Sequence, residues 1–147
     1  MKNTTIAAAG ISDVACLLEI ESSCFRNPWR IEHFTSAISS SSMDIYICRR
    51  NGAPAGYVVL SRLNKIMVIA NLAVSPGHRR EGLGAMLLEF GLQYGRKNHC
   101  AYSILDVRQS NKAAINLYRK AGFLTIGSNR EYYQNPCEDS FIMGRPA

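Results

Sequence analysis

The sequence predicts one domain of mixed α/β class over 1–147: a twisted, mostly antiparallel sheet of about seven strands with one parallel pair, flanked by four helices. Four observations carry this class. Residues 66–74 are nearly all apolar and rich in β-branched side chains, the pattern of a central strand buried on both faces. Across 82–97, Leu83, Met86, Leu87, Phe90 and Tyr94 recur at i, i+3, i+4, i+7 and i+11, which is one helix face. Strand composition returns at 102–107, so strand, helix and strand make a parallel crossover. Finally, Asn51-Gly52 lies between two strand-like segments, 44–50 and 56–62, and supplies the positive φ pair of a tight hairpin.

The remaining elements follow in order. Residues 4–8 read as a short first strand. Ser12 is placed to cap a helix through Cys24, with Val14, Leu17, Leu18 and Glu21 at helical spacing. Asn27-Pro28-Trp29 breaks that pattern, and a second short helix covers 30–38. The serine run 39–42 reads as a mobile loop. Ser75-Pro76-Gly77 ends the central strand. Ser110 or Asn111 caps a helix to Ala121, with Gly122 just past its end. Two closing strands cover 123–128 and 138–143. The chain has neither an internal repeat nor a dividing linker.

Composition narrows the function classes. At 47% apolar and 19% charged residues, the chain has enough apolar surface for a core. Its apolar stretches are far shorter than the roughly 20 residues of a membrane span. The first dozen residues are mostly small and polar, unlike a signal peptide, so the expected location is cytoplasmic. Five cysteines, none in a Cys-x-x-Cys pair, and three scattered histidines give no metal site and no disulfide framework. A net charge of +6 favours anionic partners: nucleic acid, ribosomes or a polyphosphate cofactor.

The segment Arg79-Arg80-Glu81-Gly82-Leu83-Gly84 joins the apolar strand to the amphipathic helix. At a helix start the first N–H groups lack internal partners and the macrodipole is positive. Glycines let a pyrophosphate approach those groups, and arginines add charge. Spacing alone leaves a second reading open, a glycine turn with solvated arginines. It is neither a Walker loop nor a dinucleotide fingerprint.

Arg79-x-x-Gly82-x-Gly84, following Asn71-Leu72-Ala73-Val74-x-Pro76, resembles the coenzyme A signature of the GNAT superfamily of N-acetyltransferases. The likeness covers nearly the whole chain and is sharpest for the RimI type, which acetylates the N-terminal alanine of a ribosomal protein. That closer likeness rests on four further segments. They are Phe25 with Pro28-Trp29, then Leu105-Asp106-Val107-Arg108 with Ser110-Asn111, then Ala114-Ile115-x-Leu117-Tyr118 with Gly122-Phe123, and finally Tyr132-Tyr133 with Glu138-Asp139 and Ile142-Met143.

The resemblance implies a site. Leu72, Ala73 and Val74 offer backbone groups to the pantetheine arm and acetyl carbonyl of acetyl-CoA. Arg79, Arg80, Glu81, Gly82, Leu83, Gly84 and Ala85 hold its pyrophosphate, and Asn111 hydrogen-bonds the cofactor. Transfer is direct, so no cysteine serves as nucleophile. Tyr118 is the general acid for the departing thiolate; the alternative is an aromatic packed between Ala114 and Ala121. Asp106 stands where the family has glutamate, a side chain shorter by one methylene. It is the base candidate, acting directly or through a water. Pairing with Arg108 or Lys112 is the other reading of Asp106, and Glu131 is an alternative base. A backbone α-amine, with a pKa of about 7.7–8.0, asks less of a base than a lysine at about 10.4. Trp29, the serine loop, Tyr132 and Tyr133 line the acceptor side.

The implied partner is a protein or peptide N-terminus, from a small-subunit ribosomal protein. Neither DNA nor a membrane is expected, and the chain is expected as a monomer or weak dimer. A lysine, polyamine or aminoglycoside acceptor is the second reading. An RNA-binding module is the third; it calls for a basic stripe with interleaved aromatics, whereas the basic residues here are dispersed.

Overall fold

Alternation and turn chemistry set the sheet. The computed structural model describes residues 3–134 and 136–147; positions 1, 2 and 135 of the expected domain lie outside these. The strands are β1 (Thr4–Ala8), β2 (Met43–Arg50), β3 (Ala53–Leu63), β4 (Ile66–Val74), β5 (Tyr102–Arg108), β6 (Leu124–Tyr133) and β7 (Glu138–Pro146). The helices are α1 (Val14–Cys24), α2 (Ile31–Ser39), α3 (Leu83–Lys97) and α4 (Lys112–Lys120). The expected order of elements is the observed one. One seven-stranded sheet runs β1-β2-β3-β4-β5-β7-β6. Only β4 and β5 are parallel, joined through α3; all other neighbours are antiparallel. Asn51 and Gly52 take φ of 53° and 84°, the left-handed pair expected between β2 and β3.

Two cores cover the sheet. On one face Leu83, Leu87, Leu88 and Leu92 of α3, with Ile115 and Tyr118 of α4, pack on Leu60, Met67, Leu105 and Val107. On the other, Val14, Leu17 and Ile20 of α1, with Phe34 and Ala37 of α2, pack on Ile45, Ile47, Tyr57, Val59 and Ala73. Each fully buried leucine here is worth about 2 kcal/mol of apolar burial.

Four local expectations change. Ser12 does not cap α1. A 3-10 turn at Ile11–Asp13 precedes the helix, and Asp13 Oδ2 accepts the Gly10 N–H at 2.8 Å. The buried face of α3 is rotated from the one read above, with Met86 41% exposed and Gly91 and Gly95 buried. Those glycines let the helix sit on Leu60 and Met67; an added Cβ would meet them at 3.2 and 3.3 Å. Counting only large apolar residues hides such a contact. β6 runs on through Tyr133 rather than stopping near 128. Finally, β4 is not buried on both faces throughout: Ala70 is exposed, and Leu72 and Val74 are half-buried. Its second half borders an opening.

Candidate active site

That opening is a splay in the parallel pair. β4 and β5 are paired from Ile66–Tyr102 to Ile69–Leu105. Beyond this β4 continues to Val74 and β5 to Arg108, with no pairing between them among the described residues. The cause is local. β4 pairs Ile69 with Leu60 and Asn71 with Val59, so Ala70 is an extra residue. A bulge bends its strand and ends regular pairing. The Ser75 N–H donates to the Ala55 carbonyl at 2.8 Å, so by strand alternation Ala73 turns its backbone polar groups to β3. Leu72 and Val74 turn theirs to the opening. The Leu72 N–H is already held by Asn71 Oδ1 at 3.1 Å. The Val74 carbonyl accepts from Arg79 Nε at 3.2 Å and from the Cys24 thiol at 3.4 Å.

The start of α3 lies at the same end of β4. Gly82 is its N-cap, at φ 80°, and no side chain caps it. The first helical bond runs from the Met86 N–H to the Gly82 carbonyl, which leaves the N–H groups of Leu83, Gly84 and Ala85 without helical acceptors. Arg80, at φ 63°, is also left-handed. Left-handed residues within such a loop turn successive N–H groups to one side, an anion-binding concavity. Gly84 has a different reason: an added Cβ would sit 3.2 Å from Leu117 Cδ2, so glycine lets α4 approach α3. The two expected phosphate-loop side chains at 79 and 81 point elsewhere. The Arg79 guanidinium lies on Val74 and, at 3.6 Å, on Cys24 Sγ. The Glu81 carboxylate sits 3.3 Å from His78 Nδ1 and 4.0 Å from Arg50 Nε. What the helix start presents is the row of backbone N–H groups of Leu83, Gly84 and Ala85. These groups fit a pyrophosphate.

Asn111 caps α4, its Oδ1 accepting the Ala114 N–H at 3.2 Å, which leaves its amide NH2 for a ligand. Tyr118 lies one face of α4 further along, 7% exposed and edge-on to Phe123 at 6.0 Å. Burial pushes its phenol up to about 12. Such a group holds its proton at neutral pH, so it is present as a hydrogen-bond and proton donor for a nascent thiolate.

Asp106 projects from the opposite sheet face, since Leu105 and Val107 on either side of it point into the α3–α4 core. Its Oδ1 accepts from Ser140 Oγ at 2.7 Å and from Asn129 Nδ2 at 3.1 Å. Arg108 does not neutralise it. That guanidinium binds Glu138 Oε1 at 3.2 Å and the carbonyls of Gln134 and Pro136 at 3.0 and 2.9 Å. A carboxylate held by neutral donors beside an open cleft can orient an ammonium and take its proton.

The acetyltransferase (GNAT) family model matches residues 14–123, which carry the splay, the cradle, Asp106 and Tyr118. The chain belongs to the GNAT acetyltransferase family. It is an acyltransferase. It is 31% identical over 144 residues to the ribosomal protein bS18-alanine N-acetyltransferase of Escherichia coli (strain K12), with 97% of each chain covered. It is 30% identical over 147 residues to N-alpha-acetyltransferase RimI of Mycobacterium tuberculosis, covering 96% of this chain and 91% of that one. The crystal structure of the Escherichia coli ribosomal-protein-S18-alanine N-acetyltransferase matches with a TM-score of 0.90 at 31% identity, covering 98% of this chain and 94% of that one.

In this GNAT domain the Asp106 side of the splay is walled by Tyr132 and Tyr133. β6 carries two extra residues here, pairing Asn129 with Ser140 and then Tyr133 with Glu138. Glu131 sits in that bulge at φ 51°, exposed, with its N–H on Asp139 Oδ1 at 2.8 Å. The two rings meet edge-on at 4.9 Å. Burial, then the Asp106 charge and a hydrogen bond to Asp106, push the Tyr132 phenol up. Tyr133 is pushed up by burial and then by Tyr132, Asp106 and Tyr118, against Arg108, whose guanidinium lies 4.5 Å from its ring centroid. Asp106, Tyr118 and Tyr132 are thus each within electrostatic reach of Tyr133. Trp29 packs with tilted rings against Phe34 at 5.1 Å and His33 at 5.7 Å.

Sequence reasoning passed over the donors that orient Asp106, namely Ser140 and Asn129, because strand pairing brings them together from distant segments. It also passed over Glu21, Tyr57 and Asn71. Glu21 carried a signal: a carboxylate inside the apolar stripe Val14, Leu17, Leu18.

Proposed function

We propose that the protein transfers the acetyl group of acetyl-CoA to the α-amine of an N-terminal alanine, on a small-subunit ribosomal protein. The observation that carries this reading is the splay between Leu72–Val74 and Asp106–Arg108 with Asp106 on one sheet face and Tyr118 on the other. One opening then joins an acid beside the thiol to a base beside the amine.

The backbone cradle from Arg80 to Ala85 holds the pyrophosphate of acetyl-CoA, with Arg79 and Asn111 at its edges. The Val74 N–H and Leu72 carbonyl guide the pantetheine arm through the splay. Asp106, through a water that covers its missing methylene, takes a proton from the α-ammonium. The neutral amine attacks the acetyl carbonyl carbon and the C–S bond breaks. Tyr118 gives its proton to the thiolate sulfur, and the second proton shed by the acetylated nitrogen passes through water to restore the Tyr118 phenol, so the net proton released is the one taken by Asp106. The products are the amide and free CoA, and no covalent enzyme intermediate forms. Trp29, Tyr132 and Tyr133 bracket the extended acceptor. The alanine-acetylating names of the relatives support the choice of an α-amine, and so does a single carboxylate base.

Mass spectrometry after incubation with acetyl-CoA tests this, using peptides with a free N-terminal Ala or Ser beside blocked peptides containing lysine. Acetylation is expected at the free α-amine. Acetylation of the blocked lysine peptides alone rejects the reading in favour of a side-chain acceptor.

A further inference from the structure

Beneath the Trp29 loop lies a buried carboxylate. Glu21 is 2% exposed, and among the described residues no cation pairs with it. Its Oε2 accepts the Trp29 N–H at 2.8 Å. Its Oε1 accepts from the Tyr57 hydroxyl and from Asn71 Nδ2 at 3.1 Å. Asn71 Nδ2 also donates to the Tyr57 hydroxyl at 2.9 Å, and Asn71 Oδ1 holds the Leu72 N–H. Burial first, and then the Glu21 charge, push the Tyr57 phenol well above its ordinary range.

A buried charge met only by neutral donors is costly to keep for stability alone. Here it ties three parts of the molecule, joining the loop between the first two helices to two strands, β3 and β4, that are already paired with each other. These are the break between α1 and α2 at Trp29, the middle of β3 at Tyr57, and the bulged edge of β4 next to the opening. Every donor is matched to an acceptor, so the network has one arrangement. Two of its members, Trp29 and Tyr57, are also joined through Phe34, which is tilted against Trp29 at 5.1 Å and edge-on to Tyr57 at 5.6 Å.

We propose that Glu21 is a positioning residue for the acceptor: through the Trp29 N–H and Asn71 it sets the Trp29 wall of the acceptor site against the Leu72 edge of the splay. This rests on the acetyltransferase reading above for its kinetic consequence, though its structural consequence is independent of it.

The test uses Glu21→Gln. Glutamine still accepts from Trp29 but sets an NH2 against Asn71 Nδ2. Trp29 is the only tryptophan of the chain, so its fluorescence reports the loop alone. Acrylamide quenching of Trp29 is expected to rise, and the acceptor-peptide KM to rise about tenfold. The calorimetric Kd for acetyl-CoA is expected to stay within about twofold. Glu21→Gln combined with Asn71→Asp exchanges donor and acceptor across the same contact, and is expected to restore quenching and KM to within about threefold of the parent. Unchanged quenching and KM in Glu21→Gln overturns the proposal. So does a folded double variant that restores neither. If the parent acetylates no peptide, the function reading fails while the quenching comparison still decides the role of Glu21. If Glu21→Gln does not fold, Tyr57→Phe removes one donor only, and a rise of about threefold in KM with stronger quenching is expected in its place; no change there overturns the proposal.

Discussion

The two halves of the proposed active site are built from different materials. The cofactor half is made of backbone: the uncapped start of α3, the left-handed Arg80 and Gly82, and the splayed edge of β4. The acceptor half is made of side chains fixed by other side chains: Asp106 by Ser140 and Asn129, Trp29 by Glu21, and Tyr133 by Arg108. Backbone groups recognise what every acetyl-CoA shares. Side-chain contacts can be re-set residue by residue.

The largest expected effect lies where the halves meet. Tyr118→Phe should lower turnover by about 100-fold or more, the usual weight of a lost general acid, with acetyl-CoA affinity unchanged by calorimetry. Equal losses in turnover and affinity would place Tyr118 in the cofactor half as mere packing. Next, Asp106→Asn should lower turnover on a free-alanine peptide by more than about tenfold, while Glu131→Gln leaves it within about twofold. The reverse order would move the base into the β6 bulge.

Smaller effects test the division itself. Gly82→Ala forces a side chain into φ 80°, at about 1–2 kcal/mol, and should weaken acetyl-CoA binding by about tenfold with acceptor KM unchanged. Arg79→Ala should weaken it by only about threefold, since that guanidinium lies on Val74 and Cys24. A larger loss from Arg79→Ala than from Gly82→Ala would mean that charge, not backbone, makes the cradle.

The smallest effect concerns a carboxylate that spans both halves. Glu138 accepts from Ser110 Oγ at 3.0 Å and the Ser110 N–H at 2.7 Å, beside the cap of α4, and also pairs with Arg108 at 3.2 Å. The Ser110 hydroxyl bond chiefly, opposed by some desolvation and helped by the Ser110 N–H and Arg108, holds its carboxyl below 4.5. A folded-state pKa below the unfolded one gives stability that is present above 4.5 and lost as pH falls through the lowered value. Thermal unfolding of the parent should therefore weaken on acidification below that point, and Glu138→Gln should flatten the curve there.

Much of the cofactor half was legible because it is local. A strand, a glycine loop and a helix adjoin in sequence, and Gly82 acts through its own φ. Even there, Gly84 owes its place to Leu117 across the helix pair, and Arg79 and Glu81 turn away from the loop they belong to. On the acceptor side the residue types at Trp29, Asp106, Tyr132 and Tyr133 stood out, but their partners did not. Ser140 and Asn129 reach Asp106 only because β7 pairs with both β5 and β6.

By itself the sequence determined the order of elements, the hairpin at Asn51-Gly52, the crossover through α3 and the glycine turn at its start. These depend on periodicity and on backbone conformations that single residues impose. Only the tertiary structure decided where β4 and β5 part, which polar groups face the opening, and that Glu21, 50 residues from Asn71, shares a network with it. Bulge register and buried hydrogen bonds join residues far apart in the chain, and no local pattern encodes which of them will meet.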